Sequence, residues 1–174
     1  QKSNVIISNY HWSNAKKFEK DYFYLSDLAE KILTLLYKEL NNLNNINESE
    51  NFWRILLMPW LNSFVPSIFD RWETVSKCII EKKIDSVSVL DFSKGEMTPN
   101  CTFDFNINLN LEDDWNEYIF SLISIFLLKN KNITFFKPSS PEKFKKPHLD
   151  FYLNYKKPNN IVIHNIFNIL HAMK

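Results

Sequence analysis

The amino-acid sequence predicts a helix-rich α/β protein. Two long stretches place apolar residues at helical spacing, and short runs rich in β-branched residues follow them. The chain has 174 residues, enough for a domain with a substantial core. Apolar residues make up 45% of the chain and aromatic residues 16%, which excludes intrinsic disorder.

The beginning of the chain is predicted to form a short strand and a long helix. Residues 4–8 carry a β-branched run typical of a strand, and Ser13 is placed to cap a short charged turn. A helix is predicted from Ser26 to an Asn-rich stop at residues 41–47, because its apolar residues recur every three or four positions. The residues of this predicted buried face are Leu25, Leu28, Ile32, Leu35, Leu36, Leu40 and Leu43.

A second helix, interrupted by two prolines, is predicted over residues 50–82. Asn47 or Ser49 is suited to cap it. Pro59 and Pro66 each remove one helical hydrogen bond, at a cost of ~3 kcal/mol or more. They are seven residues apart and so lie nearly on one helix face. The sequence therefore predicts a curved or broken helix with unpaired carbonyls along one side.

The second half of the chain is predicted to contain strands around one further helix. Residues 84–92 alternate and are rich in β-branched side chains, which indicates a strand, and residues 94–110 are predicted to be an irregular connection. A helix over residues 112–129, capped near Asn110 or Asp113, precedes a strand over residues 132–136. The rest is predicted to be a loop or tail rich in lysine and proline, ending in a strand and a short helix.

Composition argues against several classes of function. Lys and Arg number 21 against 20 Asp and Glu, so net charge gives no case for nucleic acid or an anionic membrane. Gly95 is the only glycine, which rules out a glycine-rich phosphate loop. The longest uncharged apolar stretch is about half of the roughly 20 residues that a membrane helix needs. Without a recognisable secretory signal, Cys78 and Cys101 are expected to be reduced, and the protein cytoplasmic.

Four blocks of the sequence resemble the N-terminal part of a bacterial transferase family. They are "NYHW" (9–12), "KDYFYL" (20–25), "FWRILLMPWLNSFVPSIFDRW" (52–72) and "TFDF" with "DDWNEYIFSLI" (102–105 and 113–123). The family is the LIC type, found in surface-polysaccharide loci. The resemblance implies a cytoplasmic enzyme with two Rossmann-like halves, similar to B-type glycosyltransferases.

The resemblance also implies an incomplete chain. Residues 1–136 would form the N-terminal, acceptor-side transferase domain, and residues 137–174 would lead towards a missing C-terminal domain. In B-type architectures that missing half holds most of a sugar-nucleotide donor. The expected substrate is an anionic small molecule or a glycan, with a sugar nucleotide as candidate donor and no cofactor. Eight lysines lie among aromatic residues in residues 129–157, but no RNA-binding signature accompanies them, so no nucleic-acid partner is predicted.

The matching blocks supply the candidate site residues. His11 follows a predicted strand, and an imidazole suits a general base or a phosphate ligand. Asp70, on a narrow polar stripe of the second predicted helix, is the other catalytic candidate. Arginines would offset the charge of a phosphate or an acceptor carboxylate. The predicted substrate-binding residues are Arg54, Arg71, Asp104, Trp60 and Trp115.

A second interpretation needs no catalysis. The tryptophans of residues 52–72 can be core residues whose charged neighbours meet structural partners. Asp113 and Asp114 lie at a predicted helix start, where a carboxylate gains ~0.3–1 kcal/mol from the helix dipole. His164 and His171 lack a third ligand, so no metal site is predicted. The alternative is a non-catalytic helical interaction module or a remnant without its donor-binding half.

Overall fold

The computed structural model describes residues 7–90, 97, 99, 101–128 and 132–136. The chain divides into two compact units, Gln1–Asp85 and Ser86–Lys174. Two long helices make up most of the first unit, and two shorter helices and a pair of strands are described in the second. The predicted strand at residues 4–8 lies mostly outside the described residues, and Ile7 and Ser8 are not in a strand. The predicted tail from residue 137 onwards also lies outside them, and the division at residues 136 and 137 stays a prediction.

Helix α1 covers Ala15–Asn44 and begins well before the predicted start at Ser26. Asn14, and not the predicted Ser13, caps it, because the side-chain oxygen of Asn14 accepts a hydrogen bond from the backbone N–H of Lys17. The predicted charged turn is therefore the first turn of this helix. Periodicity missed it because the early residues are mostly charged or aromatic and have no clear apolar face. Asn45, with a left-handed φ of 53°, ends the helix inside the predicted Asn-rich stop.

Helix α2 covers Glu50–Lys82, the predicted span, and Ser49 caps it through a hydrogen bond from the backbone N–H of Phe52. The predicted break is absent, since both Pro59 and Pro66 lie inside one continuous helix, and the predicted curvature stays a prediction. Burial explains why the helix tolerates them, because each fully buried apolar side chain contributes about 1.5–3 kcal/mol. The buried residues along this helix are Trp53, Leu61, Phe64, Val65, Ile68 and Phe69.

The core of the first unit lies between α1 and α2, which pack as an antiparallel hairpin. Leu25, Leu28 and Ile32 are buried as predicted, and Ala29 and Leu33 join them. Leu35 and Leu43 are exceptions to the predicted face, with 66% and 49% of their surfaces exposed. The predicted apolar face is therefore confirmed for the middle of α1 and does not include Leu35 or Leu43.

The second unit contains a parallel pair of strands. Strand β1 covers Val87–Leu90 and strand β2 covers Ile133–Phe136, with Val87 opposite Ile133 and Leu90 opposite Phe136. Parallel strands need a long crossover connection, which commonly contains helices. Both predicted strands are confirmed, with the first shorter than expected over its described residues.

Helices α3 and α4 lie between these strands in the sequence. α3 covers Thr102–Leu111, which corrects the irregular connection predicted there, and α4 covers Asp113–Leu127. The segment "TFDFNINLNL" alternates apolar and polar residues as a strand does, so its pattern hides the helix. Packing against α4 supports it, with the rings of Phe105 and Trp115 5.6 Å apart. Neither Asn110 nor Asp113 caps α4 as predicted. Glu112 occupies the N-cap position, without a side-chain hydrogen bond.

Candidate functional site

His11 lies in a short 3₁₀ turn, His11–Ser13, directly before α1. Aromatic side chains surround its ring, whose centroid lies 4.6 Å from Trp12, 5.0 Å from Tyr10 and 6.2 Å from Phe69 of α2. Only 5% of the residue is exposed. A polar side chain in such surroundings needs hydrogen-bond partners to offset the cost of burial.

One ring nitrogen of His11 has such a partner and the other does not. Nε2 lies 3.0 Å from Oδ1 of Asp70, on α2. A carboxylate only accepts hydrogen bonds, so Nε2 carries the proton and donates it. In the neutral ring, Nδ1 is then a bare lone pair. Among the described residues this buried nitrogen has no hydrogen-bond partner. The arrangement is that of a carboxylate-oriented base with its basic nitrogen free.

Two further side chains adjoin the Asp70 carboxylate. Arg71 places Nη1 3.7 Å from Oδ2 of Asp70 and donates a hydrogen bond to the backbone oxygen of Ser67. Burial lowers the pKa of Arg71, against the charges of Asp70 and Tyr10. Burial, a hydrogen bond to Asp70 and the charge of that carboxylate raise the pKa of Tyr10 to about 12. Tyr10 therefore stays a hydrogen-bond donor at all physiological pH values.

An open cleft of about 770 Å³ lies beside this group, within the first unit. The last residues before α1 form one side of the cleft, and the C-terminal part of α2 forms the other. His11 and Tyr10 contribute to its wall, as do the charged residues Lys17 and Glu73. The volume lies within the usual range of small-molecule sites, about 300–1,000 Å³.

Lys17 links the cleft wall to a buried network. Its Nζ contacts Asp21, one turn further along α1, and lies 3.1 Å from Oε2 of Glu73 on α2. Asp21 is itself buried and accepts a hydrogen bond from Nε1 of Trp12 at 3.0 Å. Burial opposes the charge of Lys17, but the hydrogen bonds to Asp21 and Glu73 outweigh it and raise its pKa. The network fixes Trp12 against the ring of His11.

Arg54 lies in a different part of α2. It precedes Asp70 by about 24 Å along the helix axis, at 1.5 Å per residue. Its guanidinium contacts Glu30 of α1 and lies 3.3 Å from Oε1 of Glu50. Trp60 stacks on Phe64 with centroids 4.5 Å apart. The structure thus brings together His11, Asp70 and Arg71 but holds Arg54 apart from them, and its substrate-binding role stays a prediction.

The other two predicted site residues belong to the second unit. Asp104 lies in the first turn of α3 and is partly exposed. Trp115 is buried at the start of α4 and donates a hydrogen bond from Nε1 to the backbone oxygen of Met97 at 3.0 Å. This contact and its packing on Phe105 hold Trp115 in place in that unit, and the substrate-binding roles of Trp115 and Asp104 stay predictions.

Sequence reasoning missed several residues around His11. Tyr10, Asp21 and Lys17 were not among the candidates, although the first two fall inside the matching blocks "NYHW" and "KDYFYL". The sequence signal that could have identified them is the spacing of Lys17 and Asp21, which lie one helical turn apart next to aromatic residues. Within the described ranges, no three His, Cys, Asp or Glu side chains are grouped so that they could hold a metal ion. No helix in the described part of the chain is both long enough and apolar enough to cross a membrane.

Comparison with known proteins identifies the family. No curated protein and no solved structure matches the chain. A family model described as "LIC12162 family transferase" matches residues 1–174, the whole sequence. This match confirms the resemblance to a transferase family. The chain belongs to the LIC12162 family of transferases.

Proposed function

We propose that the protein transfers a glycosyl group, or a related group, from a sugar nucleotide to an acceptor hydroxyl in the synthesis of surface polysaccharide. The family description supports transfer chemistry. Sugar nucleotides are cytoplasmic compounds, so the proposal places the reaction in the cytoplasm. It takes the chain as the acceptor-side, Rossmann-like part of a B-type glycosyltransferase architecture.

The observation that carries the proposal is the free Nδ1 of His11. In the proposed step, the acceptor hydroxyl oxygen bonds to the anomeric carbon of the donor while the bond from that carbon to the phosphate oxygen breaks. The hydroxyl proton passes to Nδ1, and the nucleoside diphosphate leaves with the bonding electrons. His11 becomes an imidazolium, which the Asp70 carboxylate at 3.0 Å stabilises. The proton returns to solvent after the product leaves.

The surroundings of His11 also suit transfer over hydrolysis. Nδ1 is closed off from solvent. In the proposal Tyr10, whose half-exposed ring lies 5.0 Å from that of His11 between centroids, moves to admit an acceptor. If water cannot reach Nδ1, the base does not activate water for hydrolysis. It then activates only an acceptor hydroxyl whose binding displaces the Tyr10 side chain. In the proposal Arg71 stabilises the Asp70 carboxylate of the His11–Asp70 pair. Substrate contacts by Arg54, Asp104, Trp60 and Trp115 remain part of the proposal without a geometric argument.

The test is substitution of His11 by glutamine. The assay follows sugar-nucleotide consumption with mixed glycan acceptors. We expect turnover to fall by about 10²–10⁴, the usual contribution of a general base. Glu39→Gln, an exposed change on α1, is the control and should leave turnover unchanged. A folded His11→Gln protein with full turnover would refute the assignment.

One observation favours the alternative of a non-catalytic interaction module. Arg54 is engaged by Glu30 and Glu50, and Asp70 by His11, so these charges already have partners inside the first unit. In that case the His11 pair holds the 3₁₀ turn against α2 and nothing more. Substitution of His11 would then lower the free energy of unfolding without an effect on any transfer reaction.

A further inference from the structure

The cleft beside His11 has a distinct charge pattern. Its charged lining residues are two lysines, Lys17 and Lys77, and two glutamates, Glu73 and Glu81. Their formal charges cancel. Asp70 and Arg71, which adjoin the wall behind His11, cancel each other as well. The cleft therefore offers no net positive charge to a phosphate or a carboxylate ligand.

Both lysine ammonium groups are also already engaged. Lys17 is held by Asp21 and by Glu73, as described above. Lys77 donates a hydrogen bond to the backbone oxygen of Asn9 at 3.0 Å and lies 3.8 Å from Oε1 of Glu81. An anion that binds either lysine must displace the carboxylate that holds it, or it is repelled by that carboxylate.

The rest of the lining suits a ring that carries hydroxyl groups. Amide and hydroxyl side chains line the cleft at Asn9, Ser13 and Ser76, and the carboxylate of Glu73 is a strong acceptor for a hydroxyl proton. The half-exposed ring of Tyr10 supplies a flat apolar face. Sugar rings present hydroxyl groups at their edges and C–H groups on their faces, which matches this mixture.

We infer that this cleft binds an uncharged hexopyranoside as the acceptor, and that the phosphate groups of a donor bind elsewhere. The identification of the bound sugar as the acceptor rests on the proposed function. Binding of the sugar to the cleft needs neither a donor nor a transfer reaction. Of the two kinds of substrate that the sequence led us to expect, an anionic small molecule or a glycan, the inference favours the glycan. Glu73 and Glu81 are the cleft residues that set this selectivity, because Glu73, together with Asp21, neutralises Lys17, and Glu81 neutralises Lys77.

The test follows the ring signals of His11 by NMR in protein labelled at histidine. The chain has four histidines, and His11→Gln assigns the relevant signals. The probes are the methyl glycosides of glucose, galactose and N-acetylglucosamine, with methyl glucuronide and inorganic phosphate as anions. We expect at least one uncharged glycoside to shift the His11 signals and neither anion to do so.

The double variant Glu73→Gln with Glu81→Gln raises the formal charge of the lining by two units. A charge about 5 Å from a bound anion changes its affinity roughly fourfold in a water-like dielectric. Because two such charges are removed, the double variant should bind phosphate and glucuronide about 16-fold more tightly at low salt. Glu39→Gln with Glu48→Gln changes net charge equally at exposed positions outside the cleft and should leave anion binding unchanged.

Three results would overturn the inference. The first is that phosphate shifts the His11 signals of the unmodified protein as strongly as the glycosides do. The second is that no glycoside shifts these signals. The third is that both double variants gain anion affinity equally. Failure of the proposed function looks different. If His11→Gln retained full turnover while the glycosides still shifted the His11 signals of the unmodified protein, the general-base role would be lost and the acceptor cleft would stand.

Discussion

The sharpest consequence of the site geometry concerns Asp70→Asn. The change keeps the shape of the side chain but removes the negative charge 3.0 Å from Nε2 of His11. An amide can accept a hydrogen bond from Nε2–H or donate one to a bare Nε2. The variant therefore loses both the tautomer preference of the imidazole and the charge that stabilises an imidazolium.

The two losses differ in size. A hydrogen bond to a charged group contributes ~1.5–3 kcal/mol, so Asp70 favours the Nε2–H tautomer about 10- to 150-fold. With Asn both tautomers find a partner, and the lone-pair form of Nδ1 falls only to about half of the population. Loss of the charge matters more. Two unit charges 4 Å apart interact by about 1 kcal/mol in water and about 4 kcal/mol at the lower dielectric of a protein surface.

Burial decides where this interaction falls between those limits. The His11 side chain is 2% exposed and that of Asp70 24%, so the lower-dielectric limit is closer. We therefore expect the transfer rate of Asp70→Asn to fall by about 10²–10³. Nearly all of that loss comes from the unstabilised imidazolium. The hydrogen bond itself can persist, so the protein should stay folded.

Two measurements check this reasoning, the turnover of Asp70→Asn in the transfer assay and the tautomer of its His11 ring. A long-range ¹H–¹⁵N NMR spectrum of histidine-labelled protein distinguishes a protonated ring nitrogen from a lone pair. The neutral His11 ring should show the lone pair at Nδ1 in the unmodified protein and a mixture of tautomers in Asp70→Asn. Glu39→Gln, which removes the same charge on the exposed surface of α1, should resemble the unmodified protein in both tautomer and turnover.

The reasoning is refuted by either of two outcomes. One is a neutral His11 ring in the unmodified protein that carries its proton at Nδ1 and its lone pair at Nε2. The other is an Asp70→Asn protein with unchanged turnover despite mixed tautomers. The first would invert the donor and acceptor roles in the pair, and the second would remove the imidazolium from the reaction.

Two other predictions concern the stability of the first unit. Leu33→Ala, at a fully buried position, should lower the free energy of unfolding by about 2–5 kcal/mol in urea titrations, and the same change at exposed Leu35 should cost far less. Equal losses at the two positions would contradict the packing of α1 on α2. The raised pKa of Tyr10 means that its contribution to stability is present below pH 10 and is lost as pH rises towards about 12. Ultraviolet titration should show one tyrosine ionising near pH 12 that is missing in Tyr10→Phe, and an unchanged titration would contradict the contact with Asp70.

Local signals in the sequence accounted for most of the two long helices. Ser49 as a cap, the Asn-rich stop near Asn45 and the span of α2 could all be predicted, because caps and periodicity act within a few residues. The transferase family could be predicted from the matching blocks. His11, Asp70 and Arg71 were candidates for the same reason, but their arrangement was not derivable from the chain alone.

Tertiary packing decided the rest. α2 runs through both of its prolines because buried contacts with α1 offset the lost hydrogen bonds, and α3 forms from a segment whose alternation indicates a strand. The contact between His11 and Asp70 spans 59 residues of sequence, and it exists because the hairpin of α1 and α2 brings the two ends together. The same hairpin gives Arg54 its own carboxylate partners, far along α2. Spacing in the sequence determines which side chains share a helix face, and only the packing of one helix on another determines which of them meet.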